Sequence, residues 1–299
     1  MNAAAALGLP ARFETDGRLR PARPDLAARH LEGRVEAARF AEPAARTVCV
    51  PIAPLSATAE AEAPLATQLL FGERFEAYEE AGLWAWGQAG DGYVGFVPQA
   101  CLDSAKEMPT VTHRVCVVSA PVMAAPAVKC RPGAALPYAA RVAVALAGDG
   151  ADEGFVQLAA GGFVSARHLA PLDAPAEDWV GEAERFLGAP YLWGGRSALG
   201  LDCSALVQLA LEAAGSACPR DSDMQEAALG RSLEPGEPLR RGDLVFWKGH
   251  VGLMRDSRRL LHANIHHMAV AIEPLSQARN RIAKLGGGPV TRIARLGDA

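Results

Sequence analysis

Short alternating runs dominate the first half of the chain. Gln68-Leu69-Leu70-Phe71 is an apolar run ended by Gly72, followed by Phe75-Glu76-Ala77-Tyr78 and Leu83-Trp84-Ala85-Trp86. An Asp91-Gly92 turn then leads into Tyr93-Val94-Gly95-Phe96-Val97-Pro98. Alternation broken by glycine turns predicts half-buried antiparallel strands. About five such strands in roughly 60 residues predict a small barrel.

The pattern recurs. Val48-Cys49-Val50 returns as Val115-Cys116-Val117, Ala53-Pro54 as Ala120-Pro121, Gly95-Phe96-Val97 as Gly162-Phe163-Val164 and Leu102 as Leu169, each 67 residues on. One offset held at both ends of a segment predicts two copies of one module, at 44–105 and 112–173. The second copy has fewer aromatics. Its counterpart stretch, Arg141-Val142-Ala143-Val144-Ala145-Leu146, reads as a spacer rather than a binding surface. Residues 1–43 form an Ala-, Arg- and Pro-rich extension with no visible chemistry, in which Asp25–Leu31 predicts one short helix and His30 a solvated residue.

From 174 to 299 the period changes. Val180, Ala183, Phe186 and Leu187 are spaced for a helix over Asp178–Leu187, broken by Gly188-Ala189-Pro190. A second helix is predicted from Cys203 to Ala214, with Asp202 as its N-cap and Gly215 after its end. A third starts near Ser222, with Gln225 as capping-box partner. Strands follow at Asp243–Lys248, His250–Arg255, Leu260–Ala263, Val270–Glu273 and Thr291–Leu296. Helices first and antiparallel strands later predict an α+β domain.

Composition narrows the partners. A chain of 299 residues suits two or three domains, and 50% hydrophobic with 21% charged residues excludes global disorder. The net charge of −4 argues against a general nucleic-acid binder, which needs a dense basic face. The apolar runs fall short of the ~18 residues of a membrane span, so no transmembrane helix is expected. The six cysteines contain no C-x-x-C pair, which disfavours a zinc ribbon or a thioredoxin-type motif. The opening Met-Asn-Ala-Ala-Ala-Ala-Leu-Gly-Leu-Pro lacks a basic n-region and does not read as a Sec signal, so a cytoplasmic protein with free thiols is expected.

Cys203 occupies the first turn of a predicted helix, where unpaired N–H groups and the positive dipole end stabilise a thiolate and a developing oxyanion. A cysteine nucleophile needs a base, and the base needs an orienting group. His250 begins one strand and His262 lies on the next, 12 residues on. A reversal near Asp256-Ser257-Arg258 would set those strands side by side and let the imidazoles hydrogen-bond. The same three residues could instead hold zinc with one open position, or be ordinary core groups. His266 and His267 read as loop residues, and His113 and His168 belong to the repeats.

Tyr191-x-Trp193-Gly194-Gly195, Asp202-Cys203-Ser204, Gly242-Asp243-Leu244-Val245-Phe246-Trp247, His250-Val251-Gly252 and Leu261-His262-Ala263 occur in that order. Together they resemble the NlpC family of papain-like cysteine peptidases, which cleave bacterial cell-wall peptides. The preceding modules resemble bacterial SH3-like domains, and the arrangement resembles the γ-D-glutamyl–diamino acid endopeptidases. The resemblance implies an α+β protein: a papain-like peptidase domain at 174–299 preceded by two small SH3-like β-barrels.

It also implies roles. Cys203 matches the nucleophile, His250 the general base and His262 the polar third member. Tyr191 matches a tyrosine beside the nucleophile, and Trp193 a cleft wall or an ordinary core residue. Asp202, Ser204, Asp221 and Ser222 match positions lining a γ-D-glutamate pocket, with helix capping as the plainer role. In the first barrel Glu62 (or Glu60), with Tyr93 (or Tyr78), would bind the free amine of an N-terminal L-Ala, the plainer reading being a solvated acid. The implied reaction is hydrolysis of the bond between γ-D-Glu and a diamino acid (meso-diaminopimelate or Lys) in muropeptides. It requires no metal or organic cofactor and would serve recycling by a monomer. A wall-binding scaffold without catalysis, and an amidase or acyltransferase on the same fold, are the competing readings.

Overall fold

The computed structural model describes residues 3–104, 109–145 and 154–297. They form two compact units, one from Glu14–Ala174 and the other from Asn2–Phe13 with Pro175–Ala299. The stretch 1–43 is therefore divided between the units rather than forming one extension. The expected module end at 105 and Leu146 of the second copy lie outside the described residues. Among the described residues no helix is long and apolar enough to cross a membrane.

In the first unit, seven antiparallel strands form one sheet, ordered Leu65–Leu70, Ile52–Ser56, Val94–Pro98, Trp84–Ala89, Arg74–Ala81, Ala44–Val48 and Leu102–Ser104. Alternation puts Val48, Ala53, Leu55, Leu69, Phe75 and Val97 into one core. Residue pairings also recur 67 positions on. Val48 pairs with Leu102 and Val115 with Leu169, while Ser56 pairs with Phe96 and Met123 with Phe163. Ile52 pairs with Leu70 and Ser119 with Pro137. The strands Ser119–Met123, Pro132–Pro137, Phe163–Ser165 and Phe155–Gln157 enclose a second core containing Val115, Leu136, Val142 and Val164.

The segment Asp25–Leu31 is not a helix. Ala27–Ala28 pairs in parallel with Phe40–Ala41, and Arg29–Leu31 is one 3₁₀ turn. Leu26, Ala27 and Ala28 are all fully buried, which three consecutive residues cannot achieve on one helix face. Leu26 and Ala28 pack on Tyr78 and Trp86, so this segment covers the aromatic face of the first sheet.

The second unit is built on a six-stranded antiparallel sheet ordered Arg231–Ser232, Arg292–Arg295, Leu244–Trp247, His250–Met254, Arg259–Asn264 and Ala269–Pro274. The helix Cys203–Ala213 packs across its central strands, burying Leu206, Val207, Leu209 and Ala210. The helix Trp179–Glu184 is capped by Asp178, whose carboxylate accepts from Gly181 N–H. A helix the sequence reading did not include, Leu275–Lys284, follows Pro274 and buries Leu275 and Ala278.

The two copies handle one turn differently. Gly72 adopts φ +78°, and its counterpart Ala139, 67 residues on, adopts φ +66°. Each donates its N–H to the matching strand, Gly72 to Val48 O and Ala139 to Val115 O, both at 2.9 Å. An L side chain in this region is strained. Ala139→Gly should therefore stabilise the first unit by about 1 kcal/mol, raising its calorimetric Tm by about 2–4 °C. Gly72→Ala should lower it by more, because the new Cβ would fall 2.0 Å from Arg141 O. A lower Tm for Ala139→Gly would contradict the strain.

Candidate active site

Asp202 has extended backbone (φ −96°, ψ 179°), and its Oδ1 accepts from Ala205 N–H at 2.8 Å, so Cys203 opens its helix as the sequence predicts. The same carboxylate accepts from Gly194 N–H at 2.9 Å and from the Ser204 hydroxyl at 3.1 Å. Arg220 completes its shell, donating Nη1 to Oδ1 at 2.9 Å and Nη2 to Oδ2 at 2.7 Å; Nη1 also reaches Ser204 Oγ at 2.9 Å. Burial alone would raise the Asp202 pKa, but Arg220 and these N–H groups outweigh it and hold the carboxyl below its usual range. Of the two roles weighed for Asp202, helix capping is one it performs.

The expected capping box at Ser222 is absent. Asp221 holds the N-cap position of Ser222–Ala228 without a side-chain cap bond. Gln225 points elsewhere, donating Nε2 to Ser204 O at 2.9 Å and Pro219 O at 2.8 Å. It ties this helix to the start of the Cys203 helix. Ser222 is half-buried, and the Asp221 charge acts on Arg220.

The two histidines meet as the spacing predicted. Asp256 Oδ1 accepts from the N–H groups of Arg258 and Arg259, both at 2.9 Å, and closes the reversal between their strands. The register pairs Leu253 with Leu261 and Met254 with Leu260, so the imidazoles approach diagonally rather than directly opposite. His250 Nε2 lies 2.8 Å from His262 Nδ1, and His262 Nε2 lies 2.8 Å from Glu273 Oε1. Gly252 leaves the gap they share: a Cβ there would meet Leu260 Cδ1 at 2.9 Å and His262 Cβ at 3.1 Å. Leu260 pairs with Glu273 and His262 with Ala271, so the His262–Glu273 contact is diagonal as well. Arg281, on the Leu275–Lys284 helix, donates to both oxygens of Glu273.

The electrostatics depart from the expected thiolate. Burial, then the Asp202 charge, push the Cys203 thiol up to about 12, although the Val251 and Ser204 N–H groups act in the other direction. Burial, then His262 and Arg281, push His250 down to about 3. The helix terminus is where the sequence put it, but desolvation and a neighbouring carboxylate outweigh it. At neutral pH the thiol and the imidazole are both uncharged. Tyr191 is half-buried close to Cys203; burial and the Cys203 charge raise its phenol pKa.

A cavity of about 520 Å³ opens beside these groups, lined by Tyr191, Trp193, Trp247, Lys248, His250 and Arg281 among others. Trp193, 69% exposed, is a cavity wall and not a core residue. His262, His267 and Glu273 bring possible ligand atoms within 4.8 Å of one another. His262 and Glu273 are already bonded to each other, however, and Arg281 sits on the carboxylate a cation would need.

Within the first unit, Glu60 and Glu62 are exposed. Tyr93 is 7% and Tyr78 5% exposed, Tyr93 in the sheet core and Tyr78 under the N-terminal segment. Sequence reasoning missed Glu273, Arg281 and Arg220. The spacing of Leu275, Ala278 and Ile282 was a usable helix signal, but nothing in it points Arg281 at a carboxylate.

Residues 188–282 match the model of the NlpC/P60 family, and residues 55–102 match that of the bacterial dipeptidyl-peptidase Sh3 domain. A γ-D-glutamyl-L-lysine dipeptidyl-peptidase of Bacillus subtilis is 40% identical over 96 residues, covering 29% of this chain and 32% of the relative. The dipeptidyl-peptidase 6 of Lysinibacillus sphaericus is 31% identical over 112 residues, covering 38% and 41%. The chain thus spans about a third of the length of the curated relatives it matches. An NlpC/P60 family protein of Bacillus cereus has the same fold, with a TM-score of 0.68 at 21% identity over 84% of this chain and 99% of that one. The Cys203 helix, both histidine strands and Glu273 all fall within the first match, and residues 188–282 therefore constitute an NlpC/P60 domain, as residues 55–102 constitute a bacterial dipeptidyl-peptidase SH3 domain.

Proposed function

We propose that this protein is a cysteine peptidase that hydrolyses the γ-D-glutamyl–diamino acid bond of peptidoglycan stem peptides. The observation that carries this reading is a buried thiol at a helix start that meets the backbone N–H of Val251, the residue next to His250, while His250 Nε2 is held by a second, buried imidazole. His250 takes the proton of Cys203 as the sulfur attacks the carbonyl carbon, then gives it to the leaving amine; water releases the acyl-enzyme. The helix N-terminus supplies N–H groups for the oxyanion, and Tyr191 stands beside the sulfur. In this reading Trp193 walls the cleft, and Asp202, Ser204, Asp221 and Ser222 shape the glutamyl side of it. The γ-D-glutamyl specificity is supported by the relatives' names.

A dipeptidyl-peptidase acts next to a free amine, which supports a preference for substrates beginning with free L-Ala. In this proposal the exposed Glu62 supplies the carboxylate that binds that amine, while Tyr93, the partner that the resemblance implies, is packed in the sheet core. The 67-residue recurrence of pairings supports a reading of 44–105 and 112–173 as two SH3-like copies. Cytoplasmic recycling by a monomer completes the proposal, supported by six free cysteines.

Mass spectrometry of L-Ala-γ-D-Glu-meso-diaminopimelate incubated with pure protein should show release of the L-Ala-γ-D-Glu dipeptide. Cys203→Ser should reduce this to background while keeping the fold, and EDTA should leave the wild type active. Zinc-restorable loss in EDTA would overturn the thiol mechanism. N-acetylation of the peptide should lower kcat/KM by up to about fivefold, the worth of an ion pair with an exposed carboxylate such as Glu62. Equal rates on both peptides would remove the amine anchor.

Acid should destabilise the C-terminal unit. Burial lowers the pKa of His250 from 6.5 to about 3, and that of His262 in the same direction. Between those values the unfolded chain binds protons that the folded chain refuses. Stability is thus full above about pH 6.5 and is lost as the pH falls toward 3. Calorimetry should show the Tm of this unit dropping over that range, with a shallower slope for His250→Asn. An acid limb of kcat centred near 6.5 would contradict a buried, neutral His250.

A further inference from the structure

Glu273 is bonded to the imidazole farther from the thiol, and Arg281 sits on its outer side. Two ring contacts of 2.8 Å link this carboxylate to His250. A hydrogen bond between two imidazoles can run in either direction, and the direction decides which nitrogen of His250 keeps its lone pair.

We infer that Glu273 is a positioning residue that fixes this direction through both rings and leaves Nδ1 of His250 as the basic nitrogen. The inference rests on the reading of Cys203 and His250 as nucleophile and base. An ionised carboxylate only accepts, so His262 Nε2 must carry a hydrogen and donate to Glu273 Oε1. A neutral His262 then has a bare Nδ1, which only accepts. His250 Nε2 must carry the hydrogen of that second bond. His250 Nδ1 is left bare, and among the described residues it has no hydrogen-bond partner. It is the one ring nitrogen available to take the proton of Cys203.

Arg281 gives this arrangement its second condition. A lone carboxylate favours imidazolium at His262, and Glu273 does act in that direction. A doubly protonated His262 would donate from Nδ1, force the hydrogen of His250 onto its own Nδ1, and remove the base. The Arg281 charge opposes this, with burial as the largest influence holding His262 neutral. The Glu273–Arg281 pair therefore offers an acceptor without a net charge. His267 also acts on His262, in the same direction as Arg281. Charge on the carboxylate is kept by the pairing as well: burial would raise the Glu273 pKa, but His262 and Arg281 outweigh it.

The test is ¹⁵N NMR of histidine-labelled full-length protein near pH 7, which reports protonation nitrogen by nitrogen without substrate. In the wild type, His250 and His262 should both be Nε2–H tautomers with bare Nδ1. In Glu273→Leu the acceptor is gone, Arg281 is free to donate to His262 Nε2, and Nδ1–H forms should appear in both rings. Glu273→Gln keeps an acceptor oxygen and should retain the wild-type pattern. Arg281→Met should add a proton to His262. With the proposed peptide as substrate, kcat of Glu273→Leu should fall about 10–100-fold, the loss that follows removal of the carboxylate partner of a metal-ligating histidine, with KM nearly unchanged. Alkylation of Cys203 by iodoacetamide, read by peptide mapping, should slow in parallel.

An Nδ1–H tautomer of His250 in the wild type would overturn the inference, even if no variant folds. So would a Glu273→Leu protein with both tautomers unchanged. If the tautomers and alkylation respond as described while no γ-D-glutamyl peptide is cleaved, the positioning role stands and the substrate assignment falls.

Discussion

The buried ion pair of Asp202 and Arg220 joins three segments around the thiol: the turn at Gly194, the start of the Cys203 helix and the stretch at Arg220. Its carboxylate caps the Cys203 helix through Ala205, receives the turn at Gly194, and is gripped at both oxygens by an arginine 18 residues on. Two charges removed from water are costly, and only a full set of hydrogen bonds makes such a pair tolerable. Here Ser204, Gly194 and Ala205 provide it. Moving any of these segments would expose part of the shell, so the pair specifies one arrangement of them. The same negative charge lies beside the thiol and raises its pKa, so the geometry that places Cys203 also keeps it protonated at rest.

A neutral thiol beside a neutral imidazole makes proton direction the central problem of the site. In water either tautomer of His250 would be accessible. In the sheet, the rings are locked into a line of hydrogen bonds that ends on a carboxylate with its own arginine. Gly252 makes that line possible by leaving room for His262 to lie against the next strand. From His250 Nε2 to the Glu273 carboxylate each polar atom on the line is paired, which is the condition under which a buried network is stable.

The first unit shows one backbone plan used twice. Its register recurs at a fixed displacement, down to a left-handed turn occupied by Gly72 in one case and Ala139 in the other. Its decoration does not recur. Tyr78 and Trp86 of the first sheet are covered by Leu26 and Ala28 from the N-terminal segment. Those aromatics, prominent in the sequence, are largely the floor for another piece of chain.

Local rules settled a good part of this molecule. Alternation and turns located the strands, Asp202 announced the start of the Cys203 helix, and a twelve-residue spacing with a polar reversal brought His250 and His262 together. Each is a short-range constraint on neighbouring residues, and so is visible along the chain. The rest depended on which groups lose water and meet across long separations. Within Asp25–Leu31, Ala27–Ala28 became a short strand and Leu26 and Ala28 were buried on another segment's aromatics. Gln225 left its capping position for carbonyls at Ser204 and Pro219. The thiol was pushed up instead of down because burial and Asp202 outweighed the helix end. Glu273 and Arg281 joined the histidines only when the last strand and helix folded against them. Desolvation and long-range pairing are properties of the packed chain, and no local pattern encodes them.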